Sequence, residues 1–402
     1  MRTVQDELIV TVNAGSSSIK TGLFAGHQGE EQPRLLARGK LDGIGVAPRL
    51  QIVMADGSVV QNVVFAPEHV GDMKAAFQQV YRALKEELQD RPPTLIGHRV
   101  VHGGMDFSSP VFVDLPTLAR LKTLEPLAPL HQPHNLAAIQ AALEHNAHLP
   151  QVACFDTAFH TGRSKVSQLF GLPYSLYEQG VRRYGFHGLS FEYVSRRLIQ
   201  ISPALAAGKV IIAHLGNGSS LCAIEAGRSV EVTTGFSALE GLPMGSRCGA
   251  LDPGVMLYLL DQGMQARELE KLLYQQSGLL GISGVSSDMR KLRASDDPHA
   301  ALAIDYFAYR IAQEIGRLAT CLGGLDALVF TAGIGEKDAA LRAQVLEHLS
   351  PLFGMSLDDA ANQRNAECIS SITSSRTVWV VPTDEESVIA RHAWHLYQGQ
   401  HV

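Results

Sequence analysis

The chain has 402 residues, of which 46% are hydrophobic and 18% charged, and its formal net charge is −6. This length and apolar content predict two or three globular domains, and the negative charge argues against a general nucleic-acid-binding protein, which is normally basic. Five scattered cysteines without a CxxC pair argue against a zinc or dithiol site. No apolar run reaches the roughly 18 residues that a membrane helix requires, and acidic residues precede the first apolar run, unlike in a signal peptide. The sequence therefore predicts a soluble, cytoplasmic protein.

Short apolar runs alternate with longer amphipathic segments along the chain, which is typical of an α/β protein. Residues 72–89 carry apolar side chains at helical spacing, another helix follows Pro133, and residues 304–322 predict a long helix that ends at Gly323. The predicted strands are 8–12, 94–101, 150–155, 209–213, 221–224, 325–330 and 377–381. No low-complexity linker separates the two halves, so two domains would be closely joined.

An internal similarity links the two halves of the chain. LIVTVNAGSSSIKTGLF (8–24) resembles VIIAHLGNGSSLCAIEAG (210–227), because each has an apolar strand, a turn of small polar residues and a second apolar segment. The pattern predicts two β-hairpins of similar design, one in each domain. Glycine- and serine-rich turns between unrelated strands are the alternative.

The turns of these hairpins could hold an anion. Backbone N–H groups exposed in a glycine-rich turn form an anion site, and Lys20 would add a positive charge. One such turn is also what an ordinary hairpin contains, but two on related hairpins suggest a phosphate chain held from both sides. A third candidate, ALVFTAGIGE (327–336), runs from a strand into glycines. GxxxxGK[ST], the protein-kinase motifs and a complete GxGxxG do not occur, which disfavours those three classes.

The segment IGHRVVHGG (96–104) offers a site for a second substrate. Strand alternation places Arg99 and Val101 on one face. A guanidinium beside an apolar side chain suits a small carboxylate with a short alkyl tail. A structural ion pair of Arg99 is the alternative.

Further polar residues stand at the ends of strands or between glycines. Asp156 follows an apolar strand and is a candidate catalytic or metal-linked carboxylate, or an N-cap. His187 and Arg247 lie in glycine-containing loops, YGFHG and GLPMGSRCG, from which a side chain can project into a cleft or remain an ordinary loop residue. The carboxylates of VVPTDEESVIA (380–390) would bind Mg²⁺ or cap the following helix.

Considered together, these segments resemble the acetate kinases. The matching blocks are VNAGSSSIK, GHRVVHGG, LAPLH, FDTAFH, YGFHG, AHLGNGSS, LEGLPMGSR, SSDMR, FTAGIGE and PTDEE, in this order from residue 12 to residue 386. The resemblance implies an α/β fold of two duplicated actin-like ATPase (ribonuclease H-like) domains around a nucleotide cleft. It implies a first domain of residues 1–155 plus 388–402, closed by the C-terminal helix, and a nucleotide-binding domain of residues 156–387.

The resemblance also implies roles for the residues at matching positions. The implied catalytic residues are Asp156, at the acid/base position, with His187 and Arg247 as transition-state stabilisers. Arg99 would bind the substrate carboxylate, and the apolar acyl pocket would comprise Val101, Leu130 and Phe186. The implied nucleotide and phosphate contacts are Lys20, His214, Leu215, Gly216, Asn217, Gly218, Asp288, Met289, Arg290, Gly333, Ile334, Gly335, Glu336 and Lys337. The implied metal-site residues are Asn13 and Glu385.

The implied reaction is reversible, direct in-line phosphoryl transfer from ATP to acetate, giving acetyl phosphate and ADP, with Mg²⁺ or, in its place, Mn²⁺. Such a transfer needs alignment and neutralisation of the phosphoryl oxygens, which Arg247, His187 and the metal would supply. Because a carboxylate is already ionised at pH 7, we expect Asp156 to orient the metal, water or an arginine rather than to abstract a proton. Acetate or another short-chain carboxylate and ATP would be the partners of a homodimer that binds neither nucleic acid nor membrane.

Two alternatives remain open from the sequence. One is a propionate- or butyrate-preferring kinase of the same family, and the other a non-catalytic nucleotide-binding protein of actin-like fold. The second predicts loss of the arginine or metal residues, whereas Arg99, Arg247, Asp156 and Glu385 are all present.

The chain departs from the usual family pattern at several positions. Met105 stands where a glutamate is usual, Ala250 replaces an aspartate, and FDTAFHQTMP becomes FDTAFHTGRS. Lys337 stands where a nucleotide-side asparagine is expected. Ala238 replaces a proline near the implied acyl pocket, and the smaller residue would widen that pocket for propionate.

Overall fold

The computed structural model describes residues 6–87 and 91–400, which form thirteen strands and sixteen helices. The strands are β1 Glu7–Ala14, β2 Ser18–Gly26, β3 Arg34–Asp42, β4 Arg49–Met54, β5 Val59–Val64, β6 Leu95–Val100, β7 Val111–Phe112, β8 Gln151–Phe155, β9 Lys209–Leu215, β10 Ser219–Glu225, β11 Arg228–Val232, β12 Ala327–Thr331 and β13 Thr377–Val380. The helices are α1 Met73–Glu87, α2 Leu115–Lys122, α3 Gln132–His145, α4 Lys165–Gln168, α5 Tyr174–Glu178, α6 Gly188–Ile201, α7 Pro203–Ala206, α8 Pro253–Asp261, α9 Ala266–Gln275, α10 Gly278–Ser283, α11 Met289–Arg293, α12 Pro298–Leu322, α13 Ala332–Lys337, α14 Ala339–Phe353, α15 Asp359–Gln363 and α16 Glu385–Gly399. None of these helices has the length and apolar character needed to span a membrane.

The chain divides into two units. The first comprises Met1–Ala158 and Asp384–Val402, and the second comprises Phe159–Thr383. The first unit therefore contains an N-terminal segment and the C-terminal helix α16. The domain boundaries predicted from the sequence, after residues 155 and 387, stay predictions.

Each unit is built on one mixed sheet, and the two sheets share a strand order. The first sheet has the order β5-β4-β3-β2-β1-β6-β8-β7, and the second has the order β11-β10-β9-β12-β13. The shared part is β3-β2-β1-β6-β8 in the first sheet and β11-β10-β9-β12-β13 in the second, in which three antiparallel strands are followed by two parallel ones. The first sheet also has β4 and β5 at one side and β7 at the other. The two similar hairpins predicted from the sequence are thus confirmed as β1–β2 and β9–β10.

The central strands carry the apolar runs because they are covered on both faces. Six of the seven positions after Glu7 in β1 are apolar or small and buried, and β9 is buried from Val210 to Leu215. In the first unit α1 and α3 share a core with β1 and β2, while α16 packs against β1, β6 and β8. In the second unit α12 supplies the largest share of the core beside β9, β10 and β12.

The predicted elements are present with differences at their ends, and the structure has further strands and helices that were not predicted. The helix predicted over 72–89 is α1, and positions 88 and 89 lie outside the described residues. The helix predicted from residue 304 begins at Pro298, because Asp297 caps it by accepting from the His299 N–H at 2.8 Å. Strands β3, β4 and β5 were not predicted, since their alternating polar residues lack the continuous apolar run of a buried strand.

Helix α16 approaches the sheet of the first unit closely at Gly97 in β6. A Cβ atom at Gly97 would lie 2.6 Å from Ile389 Cγ2 and 3.2 Å from Ala393 Cβ. Both of these contacts belong to α16, whose buried side chains include Trp394. The close packing that holds the C-terminal helix therefore requires glycine at this position.

We expect Gly97→Ala to destabilise the protein by about 1–3 kcal/mol, because an added methyl group overpacks the helix–sheet contact. The change should appear as a lower thermal midpoint in scanning calorimetry. Gly316→Ala in α12 is the matched control, since no atom lies within 4 Å of the added Cβ. The control should raise stability by up to about 1 kcal/mol through helix propensity, and equal midpoints for the two variants would contradict the packing argument.

Candidate active site

Three parallel strands of the first unit bring polar side chains to one edge of the sheet. Asn13 lies near the end of β1, Arg99 near the end of β6, and Asp156 directly after β8. Strands β1, β6 and β8 are neighbours, with Val12 beside His98 in the register. The carboxyl ends of parallel strands are the usual place for a ligand in an α/β sheet, so the fold explains why residues distant in sequence meet here.

The Arg99 guanidinium is the centre of this cluster. Its Nε donates to Asp156 Oδ1 at 3.0 Å and Oδ2 at 3.1 Å, and Nη2 donates to Oδ2 at 2.5 Å. Nη1 donates to Asn13 Oδ1 at 3.1 Å. The Asp156 side chain is 1% exposed and that of Arg99 is 21% exposed. The arginine is therefore held at the sheet edge with part of its surface accessible.

Asn13 connects this cation to two carboxylates. Its Nδ2 donates to Glu385 Oε2 at 3.0 Å and to Glu386 Oε1 at 3.4 Å. Both glutamates begin α16, whose N-cap Asp384 accepts from the Ser387 N–H. Helix N-termini favour negative side chains, which explains locally why three acidic residues stand at this point of the chain.

The charges of the cluster influence one another strongly. Burial works against the charge of Arg99, but Asp156 and Glu385 outweigh it and raise its pKa. Burial raises the pKa of Asp156, with Arg99 acting in the opposite direction. Burial and the neighbouring Glu385 also raise the pKa of Glu386, whereas Lys20 acts to lower it. The carboxylates of this cluster therefore lie among the cations Arg99, Lys20 and Arg38, with Arg38 Nη1 4.0 Å from Glu386 Oε2.

The turn between β9 and β10 forms the corresponding feature of the second unit. Residues 216–218 link the last paired residues, Leu215 and Ser219. The Gly216 N–H donates to the Gly218 carbonyl oxygen at 3.1 Å, and Ser219 Oγ donates to the Gly216 carbonyl oxygen at 3.0 Å. In the first unit the Gly15 N–H donates to the Ser18 carbonyl oxygen in the same way. The predicted small-polar turns are present in both units.

Two stacked histidines lie beside this turn. The rings of His187 and His214 have centroids 4.2 Å apart with planes 13° from parallel. His187 has φ 58° and is the N-cap residue of α6, two residues after Gly185 with φ 87°. A Cβ atom at Gly218 would lie 3.2 Å from His187 Nε2. The left-handed backbone at Gly185 and His187 therefore turns the imidazole toward the glycine turn.

Arg163, which the sequence analysis did not identify, holds the segment before His187. Its Nη2 donates to the carbonyl oxygens of Arg183 at 2.7 Å and Tyr184 at 2.8 Å, and its Nη1 donates to Glu231 Oε1 at 3.1 Å. The neighbouring His160 donates from Nε2 to the Phe186 carbonyl oxygen at 3.0 Å. Burial lowers the pKa of His160 to about 3, so this ring is neutral. Buried polar side chains thus fix the backbone on which His187 stands.

A cavity of about 860 Å³ opens next to the glycine turn. Its lining includes Asn217, Asp288, Arg290, Gly333 and Lys337. Asp288 caps α11 and pairs with Arg290 through Nη2 at 2.6 Å, and hydrogen bonds from Arg290 lower the pKa of Asp288 to about 2. Eight of the residues predicted to contact the nucleotide therefore line one cavity, and the cavity volume lies within the range of small-molecule sites.

The remaining residues of the predicted nucleotide set are placed around this region. Met289 and Ile334 also line the cavity, and Gly335 is buried in α13. Glu336 Oε1 accepts from the Thr383 N–H at 3.1 Å. Lys20 belongs to the first unit, where it lies opposite Asn13 in the β1–β2 register.

Arg247 lies in a loop that packs on the glycine turn. Its Nη1 donates to the Ala238 carbonyl oxygen at 3.0 Å and lies 3.7 Å from Met244 Sδ. A Cβ atom at Gly245 would lie 2.6 Å from Asn217 Oδ1, so the two loops are in close contact. The guanidinium is half-buried and its loop borders the turn of the same unit.

The predicted acyl-pocket residues belong to different parts of the chain. Val101 and Phe186 are buried, and Leu130 is half-buried. The Val101 N–H donates to Asn135 Oδ1 at 2.9 Å, and Asn135 Nδ2 donates to the Ala14 carbonyl oxygen at 2.6 Å. Asn135, on α3, thus fixes the ends of β1 and β6 relative to each other. The apolar residues around Asn135 predict a helix, but they do not predict this role of Asn135.

We expect Arg163→Met to lower the free energy of unfolding by about 3 kcal/mol, because it leaves Glu231 buried without its cationic partner. Methionine is the residue of the usual family pattern at this position. Urea denaturation followed by tryptophan fluorescence measures the loss.

Arg267→Met is the matched control for this prediction. Arg267 pairs with Glu270, but its side chain is 88% exposed, so its removal should change stability by no more than about 0.5 kcal/mol. A loss for Arg163→Met no larger than that of the control would show that the buried pair does not support the segment before His187.

Comparison with known proteins assigns the family. The chain matches the model of the Acetokinase family over residues 8–391. An acetate kinase of Nitrobacter hamburgensis is 49% identical over 389 residues, which is 96% of each chain. One of Rhodopseudomonas palustris is 49% identical over 397 residues, 98% of this chain and 99% of that protein.

Solved structures agree with this assignment. An acetate kinase of Porphyromonas gingivalis has a TM-score of 0.83 at 35% identity, covering 97% of this chain and 100% of that one. A propionate kinase of Francisella tularensis has a TM-score of 0.87 at 35% identity, covering 96% and 98%. These likenesses confirm the predicted fold class of two duplicated α/β domains. With relatives at about half identity over nearly its full length, this chain belongs to the acetokinase family.

Proposed function

We propose that this protein catalyses reversible phosphoryl transfer between ATP and acetate, giving acetyl phosphate and ADP. The relatives named above are acetate kinases, and the proposed activity follows theirs. The observation that carries the proposal is the cluster of Asn13, Arg99, Asp156 and Glu385, which joins a cation for a carboxylate to an acidic site for a metal. Loss of such residues would be expected in a non-catalytic relative.

Arg99 is the proposed ligand of the acceptor carboxylate. Its contacts with Asp156 and Asn13 use three of the five guanidinium N–H groups and leave one on each terminal nitrogen. Two such donors match the two oxygens of a carboxylate. Val101, Leu130 and Phe186 are the proposed apolar surface for the methyl group.

Asp156 is proposed to position Arg99 rather than to act as a base. The attacking carboxylate is ionised at pH 7, so no proton needs to be removed from it. Both oxygens of Asp156 accept from Arg99, which supports an orienting role. The pair therefore aligns the nucleophile, and alignment is a large part of catalysis in phosphoryl transfer.

The second unit is proposed to hold the nucleotide. The cavity lined by Asp288, Arg290 and Lys337 would take the nucleoside, and the turn of residues 216–218 would take the phosphates. His187, His214 and Arg247 would contact the phosphoryl oxygens. Their positive charge would stabilise the charge that develops on the equatorial oxygens in the transition state.

The residues of the first unit fit Mg²⁺. Asn13, Glu385 and Glu386 supply the oxygen ligands that this ion prefers, and burial, with Glu385 as a neighbour, raises the pKa of Glu386. Among the described residues, no three or more histidine, cysteine, aspartate or glutamate side chains are grouped so that they could hold a metal ion. When bound by Asn13 and Glu385, Mg²⁺ or Mn²⁺ would neutralise phosphate charge.

Propionate is a second candidate acceptor because of one observation. Ala238 stands where the family usually has proline, and its carbonyl oxygen accepts from Arg247. A smaller side chain would leave room for one more methylene group. The solved propionate kinase of Francisella tularensis shares the fold at 35% identity, so the fold accommodates either acid.

We propose that the enzyme acts in the cytoplasm, where ATP and short acids occur. A second copy of this chain is the proposed partner. Helix α8 has no buried residue although its sequence is PGVMLYLLD. Leu257 is 63% exposed and Tyr258 is 62% exposed. Contiguous apolar surface of this kind marks an interface, and a two-fold dimer buries the same surface on both copies.

Acetyl hydroxamate should form when the purified protein is supplied with ATP, Mg²⁺, acetate and hydroxylamine. Acetate, propionate and butyrate are compared at equal concentration, and acetate should give the highest kcat/KM. Absence of hydroxamate with all three acids would defeat the proposal, while faster turnover of butyrate would transfer it to the alternative acid.

Arg247→Ala should lower kcat by about 10³-fold or more, since an arginine on the transferring group contributes on that order, and Arg247→Lys should recover part of the loss.

Leu257→Glu should convert the dimer to a monomer, because it places a charge in the proposed interface. Sedimentation equilibrium measures the mass of each variant. Leu352→Glu is the matched control, since Leu352 is 72% exposed on α14, outside the proposed interface. A wild-type monomer, or a dimer that persists in Leu257→Glu, would rule out the α8 interface.

A further inference from the structure

The two stacked histidines share one design, in which a buried serine contacts each ring. His187 Nδ1 lies 2.7 Å from Ser220 Oγ, and His214 Nδ1 lies 2.8 Å from Ser190 Oγ. Both serines are fully buried. In each ring the Nδ1 atom is therefore held by a hydroxyl group, and Nε2 is the nitrogen on the other side of the ring.

The serine beside His214 has a second contact that fixes the direction of its hydrogen bond. Ser190 Oγ donates to Thr383 Oγ1 at 2.9 Å. A hydroxyl group has only one hydrogen, so Ser190 Oγ cannot also donate to His214. The hydrogen of the 2.8 Å contact must then come from His214 Nδ1, and the neutral ring carries no hydrogen on Nε2.

The surroundings of His214 keep this arrangement in place. The ring is stacked on His187 on one side, and Phe191 meets its edge with centroids 6.3 Å apart. Thr383 is in turn held by its N–H, which donates to Glu336 Oε1 at 3.1 Å. The imidazole is thus confined, and its Nδ1 remains directed at Ser190.

The opposite nitrogen faces the glycine turn. A Cβ atom at Gly216 would lie 4.0 Å from His214 Nε2, and one at Gly218 would lie 3.2 Å from His187 Nε2. An anion bound by the backbone of this turn would therefore meet the Nε2 side of both rings. A neutral His214 with hydrogen on Nδ1 would present a lone pair there and repel the anion.

We propose that Ser190 and Thr383 are positioning residues that hold neutral His214 in the Nδ1–H form, so that His214 donates to a phosphate oxygen only as a cation. This inference rests on the proposed function, in which the turn of residues 216–218 holds the phosphates of ATP. Charge-assisted hydrogen bonds are about twice as strong as neutral ones. We call the hydrogen bonds from His214 to Ser190 and from Ser190 to Thr383 the relay. The relay thereby makes His214 a source of positive charge in the transition state.

Thr383→Val separates this relay from a general structural role. Valine keeps the shape but removes the acceptor, so the Ser190 hydrogen becomes available to His214 Nδ1 and the ring hydrogen moves to Nε2. Thr383→Ser is the matched control, because it retains the acceptor. Ser190→Ala tests the relay at Ser190. This residue lies on α6, whereas Thr383 lies two residues before α16.

The tautomer is read from ¹⁵N spectra of histidine-labelled protein at a pH where the rings are neutral. The His214 signals are assigned by difference from the His214→Gln protein. We expect Nδ1 of wild-type His214 to be the protonated nitrogen, a switch to Nε2 in Thr383→Val, and no switch in Thr383→Ser. Protonation of Nε2 in the neutral wild-type ring would overturn the relay without bearing on the acetate kinase activity of the protein.

Steady-state kinetics tests what the tautomer does. Thr383→Val should lower kcat by about tenfold because the charge is lost, while KM for MgATP stays within about threefold because a neutral Nε2–H still donates. Ser190→Ala should lower kcat in the same way, and Thr383→Ser should retain the wild-type kcat. A tautomer switch without a loss of kcat would overturn the catalytic part of the inference, and so would a loss confined to KM.

Discussion

The contact between Arg99 and Asp156 is the interaction on which the site of the first unit depends. Burying either charge alone would be costly, and the bidentate geometry makes the pair tolerable at the end of two parallel strands. Because Asp156 fixes one side of the guanidinium, the other side is directed at Asn13. The sheet register that brings β6 and β8 together therefore also orients Arg99, which is the proposed ligand of the acceptor carboxylate.

In the second unit, backbone groups and buried polar side chains hold the proposed site residues in place. Its glycine turn offers N–H groups rather than a guanidinium, and the segment carrying His187 is held by Arg163 and His160. A buried arginine that donates to three carbonyl oxygens, those of His160, Arg183 and Tyr184, and to a carboxylate leaves little freedom to the backbone. Rigid support of this kind matters because electrostatic stabilisation works only if the charges are already in place.

The residues that could be predicted from the sequence are those with a local signal. Asn13, Arg99 and Asp156 each stand at the end of a recognisable strand. The similar turn sequences indicate the two hairpins. Strand order then brings the three residues together without further information. The α/β class and the central strands were accessible for the same reason.

The residues that escaped prediction act through partners far away in the chain. Ser190 and Thr383 are 193 positions apart, and Arg163 and Glu231 are 68 apart. A serine in a helix or a lone arginine in a loop has no local pattern that tells whether it is buried or what it contacts. Strands β3 to β5, which form one side of the first sheet, were not predicted because a strand with alternating polar residues resembles a loop in sequence.

The choice of asparagine at position 13 shows how closely the parts of the first site constrain one another. The residue must accept from Arg99 and donate to Glu385 at once, and only an amide side chain presents both groups in one plane. Aspartate would bind the arginine and a metal, but it would add a further negative charge beside Glu385 and Glu386. The pKa of Glu386 is already raised by burial and by its neighbour, so that extra charge would favour protonation of a carboxylate. A neutral residue at this point thus favours the ionised form of the carboxylates, the proposed metal ligands, while it links them to Arg99, the proposed ligand of the acceptor.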